Sequence, residues 1–230
     1  MAEKISLNNI SNYLNGLSTV QSEFTQVNPD GTISAGTVYI QRPGRVRFEY
    51  KNSKQLMLAS GGQVAVFDAK SNQGPQVYPL GQTPLSIILD QNVNLARKGM
   101  VTGHSERKNT TVVKAHDPAH PQYGSIEMVF TAPTELRQWV VTDDTGKKTT
   151  VILGEMKKGV SFKPSTFAIQ SEIDRRKFLT GDILPERPPL CQVGCIGRIT
   201  SLTETGDGRY ITSLGGVCRF RLLDEVNGTK

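Results

Sequence analysis

Along most of the chain the apolar and polar residues fall into short alternating runs broken by turn pairs. In the run 45–50, Val46, Phe48 and Tyr50 fall on one side and Arg45, Arg47 and Glu49 on the other, the period-two pattern of a strand with one buried and one wet face. The same pattern predicts strands over 20–27, 32–40, 55–59 and 63–68, and a second group over 110–115, 125–131, 136–142 and 149–153. Pro29-Asp30-Gly31, Pro43-Gly44, Gly61-Gly62 and Asp143-Asp144-Thr145-Gly146 lie between them. These turn residues supply a preset or positive φ where the chain reverses, so an antiparallel meander is expected rather than a parallel α/β sheet.

Two helices interrupt the strands. Ser6 can cap a first one in which Leu7, Ile10, Leu14 and Leu17 share a face at spacings of three and four. Thr83-Pro84-Leu85 reads as an N-cap followed by proline at the first helical position, opening a short, very apolar helix through Ile87, Ile88 and Leu89. Nine strands with two helices suit an α+β, mainly β fold: a strongly curved sheet or incomplete antiparallel β-barrel, with helices covering its open side and a short partial β appendage.

Several motifs along residues 5–169 are similar to the LolA-type outer-membrane lipoprotein carrier family. They are Phe24-Thr25-Gln26, Gly36, Arg42-Pro43-Gly44-Arg45-Val46-Arg47-Phe48-Glu49-Tyr50, Ser60-Gly61-Gly62 and Thr83-Pro84-Leu85, in that order and spacing. The resemblance implies the incomplete barrel and a periplasmic carrier. Such a carrier takes acylated lipoproteins from an inner-membrane lipoprotein-releasing ABC transporter and passes them to an outer-membrane acceptor, without a cofactor or a covalent step. It also implies that Arg42 is a latch, bonding to carbonyls of the helical lid, which suits the five-donor fork of a guanidinium.

The acyl-chain cavity would be lined by Phe24, Val38, Ile40, Val46, Phe48, Leu56, Leu58, Val64, Val66, Ile126, Met128, Phe130 and Val140, under a lid of Leu85, Ile88 and Leu89. Taken singly, each is an ordinary core residue. Together they could hold a fatty chain, since burying a methylene gains roughly 0.8 kcal/mol. Arg45 and Arg47 are expected in solvent or against an acidic partner.

From residue 182 the character changes. Leu184-Pro185-Glu186-Arg187-Pro188-Pro189 is linker-like, and the Gly194-Cys195-Ile196-Gly197-Arg198 and Gly216-Val217-Cys218-Arg219-Phe220 segments of 184–226 resemble part of the amino-terminal substrate-binding domain of Lon-type proteases. The expected organisation is a carrier domain over 1–171, a linker over 172–189 and a partial β segment over 190–230, with tail strands at 196–202, 209–214 and 217–223. A joined product of the two families accounts for this arrangement, with a purposeful fusion as the alternative. A peptide-binding or degradation-adaptor module is therefore a second functional reading. A non-transporting envelope stress sensor of the carrier fold is a third.

Composition narrows these readings. With 27 basic and 21 acidic residues the net charge is +6, but the basic residues are scattered, so no nucleic-acid interface is expected. No segment approaches the eighteen or so apolar residues of a membrane span. A monomer is expected. Met1-Ala2-Glu3-Lys4 lacks the apolar centre of a secretory signal, so a periplasmic location requires an export signal not present in this chain, and an unexported product would be cytoplasmic.

The cysteines Cys191, Cys195 and Cys218 lie far in sequence from His104, His116 and His120 and read as buried free thiols rather than metal ligands. His116-Asp117-Pro118-Ala119-His120 carries acid-base residue types but also two X-Pro turn signals, and reads as a polar loop. No nucleophile elbow or phosphate loop is framed by the expected elements, so an enzyme is not expected.

Overall fold

The computed structural model describes residues 4–68, 74–180, 193–204 and 210–221, in two units divided between Leu179 and Thr180. The first unit opens with α1 (Leu7–Gly16). The Ser6 hydroxyl accepts from the Asn9 amide at 3.2 Å, a conventional N-cap. Six strands follow as a meander: β1 (Thr19–Val27), β2 (Ile33–Gln41), β3 (Arg45–Tyr50), β4 (Leu56–Ser60), β5 (Gln63–Phe67) and β6 (Gln76–Pro79). After the short α2 (Ser86–Leu89), a second meander comprises β7 (Val101–Arg107), β8 (Thr110–Ala115), β9 (Ser125–Thr131), β10 (Glu135–Thr142) and β11 (Lys148–Leu153). The two-residue β12 (Lys157–Lys158) and α3 (Ile169–Thr180) complete it.

Antiparallel pairing of β1 with β11 joins the meanders into one twelve-stranded sheet, in the order β6-β5-β4-β3-β2-β1-β11-β10-β9-β8-β7, with β12 added beside β1. The sheet is not closed into a barrel, for β6 and β7 stand at its two ends. The unit is mainly β, as the alternation requires. β6 and β7 escape the pattern because neither buries a regular face, and β12 is too short to show one.

Both faces of the sheet carry core. On one, Ile10 and Leu14 of α1, Ile87, Ile88 and Leu89 of α2, and Val93 and Leu95 beyond it pack onto Phe24, Val38, Ile40, Val46, Phe48, Val64, Ile126, Met128, Phe130, Leu136 and Trp139. Leu56, Leu58, Ala65 and Phe67 form a second cluster with Phe167, Phe162, Ile169 and Ile173. A 3₁₀ turn (Pro164–Phe167) and α3 supply that cover.

α3 also corrects the expected boundary, since residues 172–180 are helical rather than linker. Its Glu172 is 4% exposed and bonds Arg47 of β3 at 3.1 Å, so the helix belongs with the sheet. Arg47 is correspondingly buried instead of solvated, donating also to Glu49 at 2.7 Å and to the Thr166 carbonyl at 3.2 Å.

In the second unit β13 (Val193–Glu204) and β14 (Tyr210–Arg221) form one antiparallel hairpin, with Val193 opposite Arg221 and Glu204 opposite Tyr210. The strands expected at 209–214 and 217–223 are thus largely one continuous strand, carried through Gly215-Gly216 with a register shift. Cys218 is a free thiol and exposed rather than buried. Cys191 and the linker residues 184–189 lie outside the described residues, as does the side chain of Cys195.

Candidate functional site

The site is the apolar face of the sheet with the segment covering it. Phe24 anchors that face because its cross-strand neighbour is Gly36: a Cβ there would overlap the Glu49 carbonyl oxygen and come within 2.8 Å of the Phe24 ring. The bare glycine lets the Phe24 ring lie edge to face with Phe48 at 5.2 Å and Tyr50 at 5.4 Å, and Phe48 meets Trp139 at 6.3 Å. Tyr50 is pushed above its ordinary pKa, chiefly by burial, although its hydroxyl donates to Gln26 at 3.0 Å.

Ten of the thirteen residues expected to line this face do so: Phe24, Val38, Ile40, Val46, Phe48, Val64, Val66, Ile126, Met128 and Phe130. Leu56 and Leu58 do not, because β4 is apolar on both sides and it is Met57 and Ala59 that point to the lid. Val140 is also misplaced. A bulge between Leu136 and Gln138 shifts the alternation of β10, bringing Trp139 and Val141 to the core face in its stead.

The expected lid residues Leu85, Ile88 and Leu89 all pack on this face, but the cover is wider than α2 and includes α1 and the strap through Val93 and Leu95. Ile10, Leu14, Ile87, Ile88, Leu89 and Leu95 are at most 6% exposed and pack between this cover and the sheet. Thr83 does not cap α2, since its hydroxyl donates to the Leu80 carbonyl at 2.8 Å and the helix begins at Ser86. A separate cavity of about 500 Å3 lies on the opposite face, lined by Tyr39, Arg47, Phe162, Lys163, Glu172 and Arg175 among others.

The turn between β2 and β3 reaches over the edge of this cover. Gly44, at φ +72°, donates its amide to the Leu89 carbonyl at 2.9 Å. Arg42 donates to the Leu14 carbonyl, the Asp90 carbonyl and, at 3.2 Å, Asn15 Oδ1. One cation thereby spans the carboxyl ends of α1 and α2, where exposed carbonyls concentrate partial negative charge. Burial draws the Arg42 pKa down and the Asp90 carboxylate opposes it; a guanidinium keeps its charge through such a shift. Its Nε is buried with no partner.

Residues 116–120 form a turn. Asp117 accepts from the Ala119 amide at 2.9 Å and from His120 Nδ1 at 3.0 Å, and the His120 ring stacks on Tyr123.

A twisted run of antiparallel strands whose apolar face is closed by helices and clasped by one arginine defines a sheet-and-lid protein. The sequence matches the family model for the outer membrane lipoprotein carrier protein LolA over residues 15–170. The chain belongs to the LolA family. It is 23% identical over 175 residues to an outer-membrane lipoprotein carrier protein of Methylococcus capsulatus, covering 72% of this chain and 84% of that one. A carrier of the same description from Coxiella burnetii is 32% identical over 103 residues, covering 40% and 48% respectively. A solved LolA superfamily protein of Nitrosomonas europaea overlays with TM-score 0.38 at 10% identity, covering 71% of this chain and 98% of that one.

Proposed function

We propose that this protein is a periplasmic carrier that receives acylated lipoproteins from an inner-membrane ABC exporter, holds their acyl chains between sheet and lid, and yields them to an outer-membrane acceptor. The observation that carries this reading is Arg42 bridging the carboxyl ends of both lid helices. The structure then corresponds to the empty, closed state, in which lid side chains occupy the position of the cargo.

The energetics suit an exchange. Six buried lid side chains leaving the sheet would forfeit roughly 2 kcal/mol each, about 12 kcal/mol in all. One acyl chain of about sixteen carbons recovers a similar amount at roughly 0.8 kcal/mol per methylene. A single chain is near balance, and cargo with further chains displaces the lid. Reclosure, driven by the same apolar surface and by the Arg42 bonds, expels the chains to an acceptor with no covalent chemistry.

The test is native mass spectrometry of protein incubated with a triacylated lipopeptide. A one-to-one complex that dissociates when a hydrophobic acceptor is added supports the carrier. No complex with the acylated peptide, or an equal one with the unacylated peptide, refutes it.

A further inference from the structure

The lid consists of two pieces far apart in sequence, α1 and the segment from α2 to Leu95, and a carrier needs both to move together. Asn15, in the last turn of α1, pairs with Val93 as a neighbouring strand would: its Nδ2 donates to the Val93 carbonyl at 2.9 Å and its Oδ1 accepts the Val93 amide at 2.9 Å. One turn earlier the Ser11 hydroxyl accepts the Leu95 amide at 3.1 Å while donating to the Leu7 carbonyl at 2.8 Å. The same Asn15 Oδ1 also accepts from Arg42 at 3.2 Å. A single carboxamide therefore touches α1, the strap and the latch.

We propose that Asn15 is the positioning residue that makes α1 and the 90–95 strap one rigid lid and connects that lid to Arg42. This rests on the carrier reading for its purpose, but the mechanical claim stands on the two-way pairing with Val93. Asn15 itself is exposed at a helix end, so alanine, the best helix former, replaces it without opening the core. Aspartate keeps an acceptor for the Val93 amide but sets its second carboxylate oxygen against the Val93 carbonyl in place of the donor, so it too breaks the two-way pairing.

Spin labels at Asn8→Cys and Gln91→Cys, both exposed positions, in a background carrying Cys191→Ser, Cys195→Ser and Cys218→Ser, report the distance between the two lid pieces. In the empty protein the distribution is expected to be narrow with Asn15 and clearly broader with Asn15→Ala and with Asn15→Asp. A distribution as narrow in either variant as with Asn15 overturns the proposal. In parallel, Asn15→Ala is expected to speed association of a fluorescent triacylated lipopeptide about three- to tenfold, the equivalent of one or two ordinary hydrogen bonds. Its effect should combine with that of Arg42→Leu less than multiplicatively, since the two residues share a bond; a fully multiplicative combination overturns the link to Arg42. If no triacylated lipopeptide binds at all, the carrier reading fails while the distances still decide the coupling.

Discussion

Arg47 of β3 and Glu172 of α3 meet at 3.1 Å although 125 residues separate them in the chain, and both are buried. Glu172 also accepts from Arg175 at 2.6 Å and Arg176 at 2.7 Å, so one carboxylate gathers three guanidinium groups and pins the last helix to the face opposite the lid.

Burial alone would raise the Glu172 pKa, but the hydrogen bonds from Arg175 and Arg176 and the charge of Arg47 together hold it below its ordinary range. A depressed acid stabilises the fold above its unfolded value, and the contribution disappears as pH falls through the folded one. Glu172→Gln is expected to cost about 2 kcal/mol near pH 7, because it removes the buried carboxylate shared by Arg47, Arg175 and Arg176 and leaves Arg47 only the more exposed Glu49. The gap between wild type and variant should shrink once the pH drops well below about 4.3. Urea midpoints at the two pH values check this; a gap that stays constant contradicts it.

Gly36→Ala places a methyl against the Glu49 carbonyl and the Phe24 ring. The backbone cannot retreat without disturbing the β2–β3 pairing, so a loss of about 2 kcal/mol is expected, in the range for overpacked cores. Chemical denaturation measures it, and an unchanged midpoint would contradict the close approach of β3 to Gly36.

Arg42→Leu removes the bonds to Leu14, Asn15 and Asp90 from the closed lid. The variant is expected to load acylated peptide at least as readily as wild type but to pass it on poorly, because reclosure is weakened. A donor-to-acceptor transfer assay with labelled lipopeptide tests this; normal delivery removes Arg42 from the latch.

Leu58→Ala separates the two faces. It hollows the cluster against Phe167 and should cost about 2–4 kcal/mol of stability. Acyl affinity, measured well below the melting temperature, should be unchanged, whereas a loss of affinity would return Leu58 to the binding face.

The alternation of β1 to β5 and β8 to β11 was legible because each strand has neighbours at short range and turn chemistry between them. The exceptions have physical causes. β4 is apolar on both sides because Phe162, Phe167 and Ile169 cover its far face, and a period-two pattern carries no information about which face a lid will choose. Trp139 was hidden by the bulge after Leu136, which moves later residues to the other side. α3 offers only Ile169 and Ile173 to the cluster and is otherwise held by ion pairs, one to a strand far away in sequence, so no strong local pattern announces it. The Asn15–Val93 pairing is likewise long-range, made by a polar residue at a helix end that reads in sequence as ordinary surface.

Trp139, the chain's one tryptophan, is 2% exposed on the face beneath the lid, against Phe48. Its fluorescence during titration with a lipopeptide whose acyl chains carry bromine tests the central claim most directly, since a heavy atom quenches only at contact. Saturable quenching, absent with the unacylated peptide, is the predicted result. Binding that saturates while Trp139 emission stays constant would place the chains elsewhere and contradict the account.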